Sequence, residues 1–313
     1  MVSILAIGEI LFEFFPRPFH APLDAATDFE PYAGGAPLTF AATAQRLGCA
    51  AGLIAVVGTD PFSDFLVGGM RAEGVSADLL RRVADRQIGL VFHDNSGEDT
   101  RLIFYRKGSA GSLLGPEDVT EDCIKKAALV YFPGVALQVS HSAQEACMKA
   151  ARLARASGVP LAVDPNIRAI QGGLQSRRVL EEAISMADII TPSQAEAIAL
   201  TRESDPHKAG RRLLEMGPGT VAVTMEREGC LLFHQGQEVY APGYAVDVIE
   251  PTGAGDAFAA ALCVGLLQGW PAERMAHYAN AAGALAVTAI GHLGPALPTP
   301  EKIGALLAGG RAG

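Results

Sequence analysis

Residues 251–258 read PTGAGDAF, and the apolar run AFAAALCVGLL continues the chain from 257 to 267. The only acid of this stretch, Asp256, stands between a Gly-Ala-Gly turn and a helix-forming sequence. A carboxylate that enters a buried helix costs free energy unless a favourable partner offsets it. The partial positive charge at a helix N-terminus is such a partner. The stretch therefore predicts a helix at about 254–268 that begins at a glycine turn.

The same turn predicts a binding site for an anion. Gly253 and Gly255 can adopt backbone angles that direct consecutive N–H groups into one pocket, and the helix N-terminus adds positive charge there. Such an anion hole suits a phosphoryl group in transfer. Asp256, beside it, is then a candidate for the base that takes a proton from an attacking hydroxyl. A purely structural helix cap is the alternative, because short glycine motifs also occur by chance.

Composition narrows the class of protein. The 313 residues are 49% hydrophobic and 19% charged, which favours a sizeable core over disorder. The net charge of −9 argues against a nucleic-acid partner. The five cysteines are scattered without CxxC spacing, which disfavours a disulfide framework or zinc site and favours the cytoplasm. The apolar run after Asp256 is shorter than the ~20 residues of a membrane span, so we expect no membrane partner.

Strand and helix patterns alternate along the chain. Strands are predicted at 3–7, 53–57, 129–132, 161–163, 188–191 and 220–224, and helices at 36–47, 142–157, 176–186, 194–200, 254–268 and 272–289. This alternation predicts a mostly parallel sheet with helices on both faces. Two strand pairs, 10–15 with 28–33 and 88–94 with 101–106, do not fit it and predict a small separate sheet. We expect one α/β domain over 1–313, with ligands beyond the carboxyl ends of the parallel strands.

Three further segments occur in a recognisable order with PTGAGDAF. They are GGAPLTFAATAQRLG at 34–48, DPNIR at 164–168 and YANAAGALAVT at 278–288. Together they resemble the ribokinase-like, phosphofructokinase-B type carbohydrate kinases over nearly the whole chain. The resemblance implies a Rossmann-like fold with a β-sheet lid, formed here by about 10–33 and 88–107. It also implies transfer of the ATP γ-phosphate to a sugar hydroxyl with Mg²⁺, and a homodimer formed through the lid.

The resemblance also assigns roles by position. The catalytic group comprises the base and its anion hole: Asp256, Gly253, Ala254 and Gly255. The sugar-binding group comprises two glycines that let the backbone approach the sugar, a lid acid and a helix residue: Gly34, Gly35, Glu13 and Thr39. The nucleotide-binding group surrounds the loop after the strand at 220–224: Ser193, Thr224, Glu226, Gly229, Gly255 and Asn280. Glu196 lies where a family acid orders Mg²⁺ and its waters.

Four positions depart from the family pattern. Ser193 replaces the asparagine of an Asn-x-x-Glu motif, and Thr39 replaces a sugar-binding asparagine. Glu226 replaces the usual glycine of the nucleotide loop and brings negative charge near the triphosphate. Glu250 replaces the aspartate that often precedes the glycine turn, so the sequence does not establish a monovalent-cation site.

Resemblance to two branches of the family suggests two different substrates. FYRKGSAGSLL at 104–114 resembles 2-keto-3-deoxygluconate kinases, and Arg106 and Arg168 could pair with a sugar-acid carboxylate. Val91 and Phe104, however, lack the hydroxyls of that branch's tyrosines. GEILFEFFP, GGAP, DPNIR and GPALPTP look more like fructokinases. A keto-deoxy sugar acid is therefore favoured, and a ketohexose is the alternative.

Two weaker interpretations stay open. One is a nucleoside kinase of the same family. The other is a non-catalytic sugar sensor on a kinase fold, against which Asp256 argues because a sensor needs no base. The seven histidines share no ligand spacing, and we expect them to be structural or surface residues.

Overall fold

The computed structural model describes residues 3–97, 100–166 and 173–309. The strands are β1 (Ile4–Ile7), β2 (Leu11–Arg17), β3 (Asp28–Gly34), β4 (Ala51–Val57), β5 (Leu80–Arg82), β6 (Gly89–Asp94), β7 (Arg101–Tyr105), β8 (Leu129–Pro133), β9 (Leu161–Asp164), β10 (Ile189–Ile190), β11 (Thr220–Thr224), β12 (Gly229–His234) and β13 (Gln237–Pro242). The helices are α1 (Ala36–Arg46), α2 (Pro61–Ala72), α3 (Glu121–Lys125), α4 (His141–Ser157), α5 (Gly173–Met186), α6 (Gln194–Thr201), α7 (Pro206–Leu214), α8 (Ala254–Leu267), α9 (Ala272–Ala286) and α10 (Pro300–Leu307).

The larger sheet has the strand order β13-β12-β11-β10-β9-β8-β1-β4-β5. Every neighbouring pair from β11 to β5 is parallel, whereas β12 and β13 are antiparallel. The predicted mostly parallel sheet is therefore confirmed. Because the parallel strands run the same way, the segments that follow β1, β8, β9, β10 and β11 meet at one edge of the sheet, which we call the carboxyl edge.

The first strand shows why helices cover both faces of this sheet. Ile4 and Ala6 belong to one apolar cluster, whereas Leu5 and Ile7 belong to another. The first cluster includes residues of α1, α8 and α9, and the second includes residues of α4, α5 and α7. A strand buried on both faces needs apolar side chains at every position, which accounts for the continuous apolar runs in the sequence.

The smaller sheet, which we call the lid sheet, has the order β3-β2-β6-β7. The β2–β3 and β6–β7 pairs are antiparallel, and β2 runs parallel to β6. The predicted separate small sheet is confirmed, with shifts of one or two residues at the strand ends. Glu13 pairs with Val91, which pairs with Phe104, so these three residues share one face of the lid sheet.

Two glycines with positive φ begin the helices nearest the carboxyl edge. Gly35 has φ +104° at the start of α1, and a Cβ there would lie 2.8 Å from the backbone oxygen of Glu9. Gly253 has φ +89° and begins α8, as the sequence predicts. A residue with a side chain would be strained at either position, so the backbone conformation itself requires glycine.

Several elements have no counterpart in the predictions. The antiparallel hairpin of β12 and β13 extends the sheet beyond β11. Helices α2 and α7 each begin with an aspartate cap followed by proline, at Asp60–Pro61 and Asp205–Pro206. Aspartate at the cap and proline at the first helical position both favour the start of a helix. The local sequence therefore contains a signal for the start of each of these two helices.

None of the helices in 3–97, 100–166 and 173–309 is both long enough and apolar enough to cross a membrane.

We expect the core around α1 to dominate stability. Leu38 on α1 is fully buried, whereas Leu307 on α10 is 40% exposed. Leu38→Ala should lower the free energy of unfolding by about 2–5 kcal/mol, because it removes buried methyl groups and leaves a cavity. Leu307→Ala is the matched control and should cost about 0.5 kcal/mol or less. Denaturant unfolding monitored by circular dichroism measures both, and equal losses would contradict this picture of the core.

Candidate active site

The carboxyl edge brings the predicted site residues together in three groups. Thr224 ends β11, on one side of the sheet, and the proposed nucleotide residues lie around it. Asp256 contacts Tyr131 of the central strand β8. Glu9 follows β1, on the side where the lid sheet lies. The strand order therefore places the residues predicted to be catalytic between those predicted to bind the nucleotide and those predicted to bind the sugar.

The turn before α8 presents unpaired backbone donors. Among the described residues, the amide N–H groups of Gly255 and Asp256 have no hydrogen-bond partner, and that of Ala254 has only a 3.4 Å contact to the Pro251 oxygen. The first N–H groups of a helix have no partner within the helix and carry its partial positive charge. A Cβ added at Gly255 would meet only a carboxylate oxygen of Asp164, at 3.7 Å. The turn thus has the donors and the space to receive an anionic group.

Asp256 has an environment suited to a base. Its side chain is half-buried, and the hydroxyl of the buried Tyr131 donates to Oδ1 at 3.3 Å. Burial raises the pKa of Asp256 to about 7, although the charge on His292 and the Tyr131 hydrogen bond both oppose this rise. Burial and the nearby acids Asp256 and Asp164 raise the pKa of Tyr131 well above its usual value, so its hydroxyl keeps the proton it donates. A carboxyl group with a pKa near neutrality can accept a proton efficiently at working pH.

Glu13, expected to contact the sugar, already has three donors. The Gly35 amide donates to Oε1 at 2.9 Å, and the Nε2 atoms of His93 and His292 lie 2.5 and 2.9 Å from Oε2. The side chain is 6% exposed. Glu13 also fills the space beside Gly34, where a Cβ would lie 2.0 Å from Oε1. Donors of the protein therefore occupy most of the acceptor positions of this carboxylate, and its contact with sugar hydroxyls stays a prediction.

Thr39 lies beside the catalytic turn. It is buried, its hydroxyl contacts the Gly35 oxygen at 3.4 Å, and a Cβ at Gly253 would lie 3.4 Å from its methyl group. Thr39, Gly253 and His292 line one small cavity. The structure thus joins the beginning of α1 to the beginning of α8, as the sequence motifs suggest.

Arg106 lies on the lid side of the site and is paired with an acid. Its Nη1 donates to Oε2 of Glu9 at 3.0 Å, and the Ser109 hydroxyl donates to Oε1 of the same carboxylate at 3.1 Å. The Arg106 guanidinium also lies 4.3 Å from the centroid of Phe104. Burial raises the pKa of Glu9, while Arg106 and Ser109 lower it by less. Arg168, the second arginine predicted to bind the substrate, lies outside the described residues.

An open cleft of about 530 Å³ borders this pair. It is lined by residues 59–60, 84–88, 105 and 107–109, and so includes Ser109 and both neighbours of Arg106. Asp256 does not line it. The cleft therefore belongs to the lid side of the site and not to the reaction centre.

The nucleotide loop follows β11 in a strained conformation. Glu226 is exposed and has φ +50°, an uncommon conformation for a residue with a side chain. A glycine, which the resemblance leads us to expect there, would adopt this backbone angle without strain. Gly229 has φ +106°, and a Cβ would lie 2.0 Å from the Ala241 oxygen. Asn280 is buried, and its amide donates to the Pro242 oxygen at 2.6 Å, which fixes α9 to the end of β13.

Ser193 and Glu196 form the N-terminal cap of α6. The Glu196 amide donates to the Ser193 hydroxyl at 3.3 Å, and the Ser193 amide donates to Oε2 of Glu196 at 2.8 Å. This capping box satisfies two helix donors reciprocally. Ser193 also bridges to Thr224, so the cap lies beside the end of β11. Both residues thus have a structural role at the place where the nucleotide and metal are expected.

Two histidines beside Glu13 and a tyrosine beside Asp256 were not predicted from the sequence as site residues. His93 and His292 are buried against Glu13, and Nδ1 of His292 also lies beside the Gly253 turn. His93 belongs to the lid sheet and His292 follows α9, so no local spacing relates them. Tyr131 reads only as an apolar strand residue in the sequence.

Comparison with known proteins agrees with this geometry. Residues 1–300 match the family described as pfkB family carbohydrate kinase. The probable fructokinase-6, chloroplastic, of Arabidopsis thaliana is 33% identical and covers 96% of this chain and 81% of its own length. A 2-dehydro-3-deoxygluconokinase of Thermoproteus tenax is also 33% identical and covers 98% of this chain and 94% of its own length.

A solved structure shares the whole fold. A protein described as ribokinase II from E. coli, in complex with ATP and Mg²⁺, is 30% identical and superimposes with a TM-score of 0.91. The alignment covers 98% of this chain and 99% of that chain. The resemblance first seen in four sequence motifs is therefore confirmed over the full fold, and the chain belongs to the pfkB family of carbohydrate kinases.

Proposed function

We propose that this sugar kinase transfers the γ-phosphate of ATP to a hydroxyl of a keto-deoxy sugar acid of the 2-keto-3-deoxygluconate type. The main support for this reaction is the position of Asp256 in the first turn of α8. Its carboxyl has a pKa of about 7 and lies beside backbone donors that have no other partner among the described residues. A base and an anion site in direct contact are the two groups that phosphoryl transfer to an alcohol needs.

In the proposed mechanism, Asp256 takes the proton of the attacking hydroxyl. The N–H groups of Gly253, Ala254 and Gly255 hold the transferring phosphoryl group and stabilise the charge that develops on it. Tyr131 donates to Oδ1 of Asp256 at 3.3 Å, which orients the carboxylate and favours its ionised form. The half-buried position of Asp256 limits the access of water, which would otherwise compete with the sugar for the phosphoryl group.

ATP and Mg²⁺ are assigned to the β11 side of the carboxyl edge. Thr224, Glu226 and Gly229 would surround the nucleotide, and the buried Asn280 would support its base. Glu196 would help to order Mg²⁺ and its waters, which neutralise charge on the phosphates. Support comes from the position of the Ser193–Glu196 cap beside β11 and from the neighbour solved with ATP and Mg²⁺. The negative charge of Glu226 would repel the phosphates, but its side chain is exposed, so solvent screens this charge.

The sugar acid is assigned to the lid side of the site. The Arg106 side chain is 17% exposed, and among the described residues its ion-pair partner is the Glu9 carboxylate, which Nη1 contacts. The remaining N–H donors of the guanidinium can form charge-assisted hydrogen bonds with a substrate carboxylate. Burial raises the pKa of Glu9, so protonation of its carboxyl group costs less free energy than that of an exposed glutamate when a second carboxylate approaches.

A fructokinase is the second candidate. The Glu9–Arg106 pair favours it, since an arginine already neutralised by an internal acid need not bind a charged substrate. The fructokinase relative from Arabidopsis thaliana and the sugar-acid kinase from Thermoproteus tenax are equally similar to this chain, at 33% identity. In this alternative Glu13 would accept hydrogen bonds from sugar hydroxyls at the acceptor positions that Gly35, His93 and His292 do not occupy.

Replacing the proposed base tests the reaction. Asp256→Asn keeps the size of the side chain and its ability to cap a helix but cannot accept the proton. We expect kcat to fall by about 100-fold or more, with little change in thermal stability. Asp78→Asn, at an exposed loop position, is the matched control and should keep full activity. The measurement is ADP release with a panel of sugars, and near-normal turnover of Asp256→Asn would exclude it as the base.

The pH profile tests the environment of the base. Asp256 acts in its ionised form, so kcat/KM should rise with pH and level off above its pKa of about 7. Tyr131→Phe removes a hydrogen bond that favours the ionised form, and the rise should therefore move to higher pH. Rates measured across neutral pH with saturating ATP give both midpoints. A Tyr131→Phe midpoint that is unchanged or lower would contradict the role of this hydrogen bond.

Replacing the lid arginine tests the substrate class. Arg106→Met keeps much of the apolar stem and loses the guanidinium. It should lower kcat/KM for 2-keto-3-deoxygluconate by about 10- to 150-fold and change kcat/KM for fructose far less. Arg101→Met is the control, because Arg101 begins β7, the strand that Arg106 directly follows, and has a side chain that is 74% exposed. Equal losses with both sugars, or a wild-type preference for fructose, would favour the fructokinase alternative.

A further inference from the structure

The cluster of Glu13, His93 and His292 connects the lid sheet to the catalytic turn. Glu13 comes from β2 and His93 from β6, whereas His292 follows α9. His93 is fully buried and His292 is 3% exposed. None of the roles proposed above uses either histidine, although two buried imidazoles on one carboxylate are an unusual feature that calls for an explanation.

The distances identify this cluster as a hydrogen-bond network. The two histidine Nε2 atoms lie 2.5 and 2.9 Å from the same carboxylate oxygen, Oε2 of Glu13. Ligand atoms that share one zinc ion at about 2.0–2.1 Å in tetrahedral geometry lie farther apart than this. Shared protons, rather than a shared metal, therefore account for the contacts, and each histidine donates from Nε2 to Glu13.

The second nitrogen of His292 lies against the anion-binding turn. A Cβ built at Gly253 would be 3.0 Å from His292 Nδ1. His292 also lines the small cavity that contains Thr39, Thr252 and Gly253. The Nε2 atom of His292 therefore binds the lid sheet through Glu13. Its Nδ1 atom borders the turn that would hold the transferring phosphoryl group.

The charges around His292 favour its protonated form. Glu13 faces it from β2, Glu250 from the segment before α8 and Asp256 from α8 itself; His93, on β6, lies near it with a ring-to-ring distance of 6.2 Å. Burial alone would lower the pKa of His292, but these three carboxylates, Glu13 first, raise it to about 9. Glu250 is fully buried, and its Oε2 has no hydrogen-bond partner among the described residues. An imidazolium here lies among three carboxylates and offsets part of their negative charge.

The same charges act on Asp256. Burial raises its pKa and Glu13 raises it further, whereas His292 and Tyr131 lower it. Without the charge of His292, burial and the charge of Glu13 would both raise the pKa of Asp256, and the Tyr131 hydrogen bond would be the remaining described contact that lowers it. Its protonated, catalytically inactive form would then persist to higher pH.

We propose that His292 is a positioning residue: a buried imidazolium, anchored to the lid sheet through Glu13, that places one positive charge beside the Gly253 turn and Asp256. This inference rests on the proposed role of Asp256 as the base. It gives the site a charge that does not come from substrate, nucleotide or metal. It also makes the lid strand β2 part of the catalytic electrostatics, because the imidazolium depends on the Glu13 carboxylate.

The first test needs no measurement of activity. Histidine resonances of the ¹⁵N-labelled wild-type protein are titrated by NMR and assigned with His292→Gln. We expect His292 to keep its proton through neutral pH and to lose it near 9. In Asp256→Asn the loss should move to lower pH, because one of the acids that stabilise the imidazolium is gone. A His292 that is neutral at pH 7, or that titrates identically in Asp256→Asn, overturns the proposal whatever the protein phosphorylates.

The second test uses the reaction. Glutamine at 292 can still donate to Glu13 but carries no charge, so His292→Gln should fold and should shift the rise of kcat/KM upward by about one pH unit. At a pH well above the new midpoint, most of the activity should return, which a merely structural defect would not show. His141→Gln is the control, since the His141 side chain is 80% exposed. An unshifted profile in an active His292→Gln enzyme rejects the inference while leaving the kinase function intact.

Discussion

The buried carboxylate of Glu13 is the interaction on which the site depends. An ionised acid in the interior is tolerated only when hydrogen bonds and opposite charge replace the water it has lost. Glu13 receives one backbone amide and two imidazole donors from three different parts of the chain. Burial opposes its ionisation, but His292 and His93 hold the pKa of Glu13 well below its usual range. The need to satisfy this one charge fixes the lid sheet, the start of α1 and the segment after α9 in a single arrangement.

That arrangement determines the geometry of the carboxyl edge. The lid sheet reaches the edge beside β1, the Gly253 turn lies beside the ends of β8 and β9, and the proposed nucleotide loop follows β11. Parallel strands bring these segments to one side of the sheet, and the strand order sets their sequence along it. Residues with a plain structural role contribute here too. The Ser193–Glu196 cap and the Asn280 amide hold the backbone around β11 and β13, so the proposed nucleotide site rests on rigid elements.

Charge is distributed unevenly between the two sides of the site. On one side, burial and the charge of Glu13 raise the pKa of Asp256 to about 7, while the charge of His292 lowers it. On the lid side, Glu9 and Arg106 form a buried pair that a charged substrate would have to enter. A buried pair is sensitive to the loss of either partner, because the remaining charge is left without compensation. If Arg106 binds the substrate as proposed, the substrate preference should depend on how Glu9 responds when a ligand approaches the pair, as well as on the arginine itself.

Local features of this protein could be predicted from the sequence because local physics produces them. The apolar runs predict strands buried on both faces, and PTGAGDAF predicts a glycine turn, a helix start and an acid at its N-terminus; all of these are present. The four motifs also identify the family, since they preserve the residues that such a site needs. Helices α2 and α7 were missed despite local Asp-Pro signals.

Only the tertiary structure decided which groups surround Asp256 and Glu13. Tyr131, His93 and His292 are distant from them in the chain and carry no spacing that relates them. Their contacts arise from strand order and from the packing of the lid sheet, and the raised pKa of Asp256 follows from burial that no sequence pattern records.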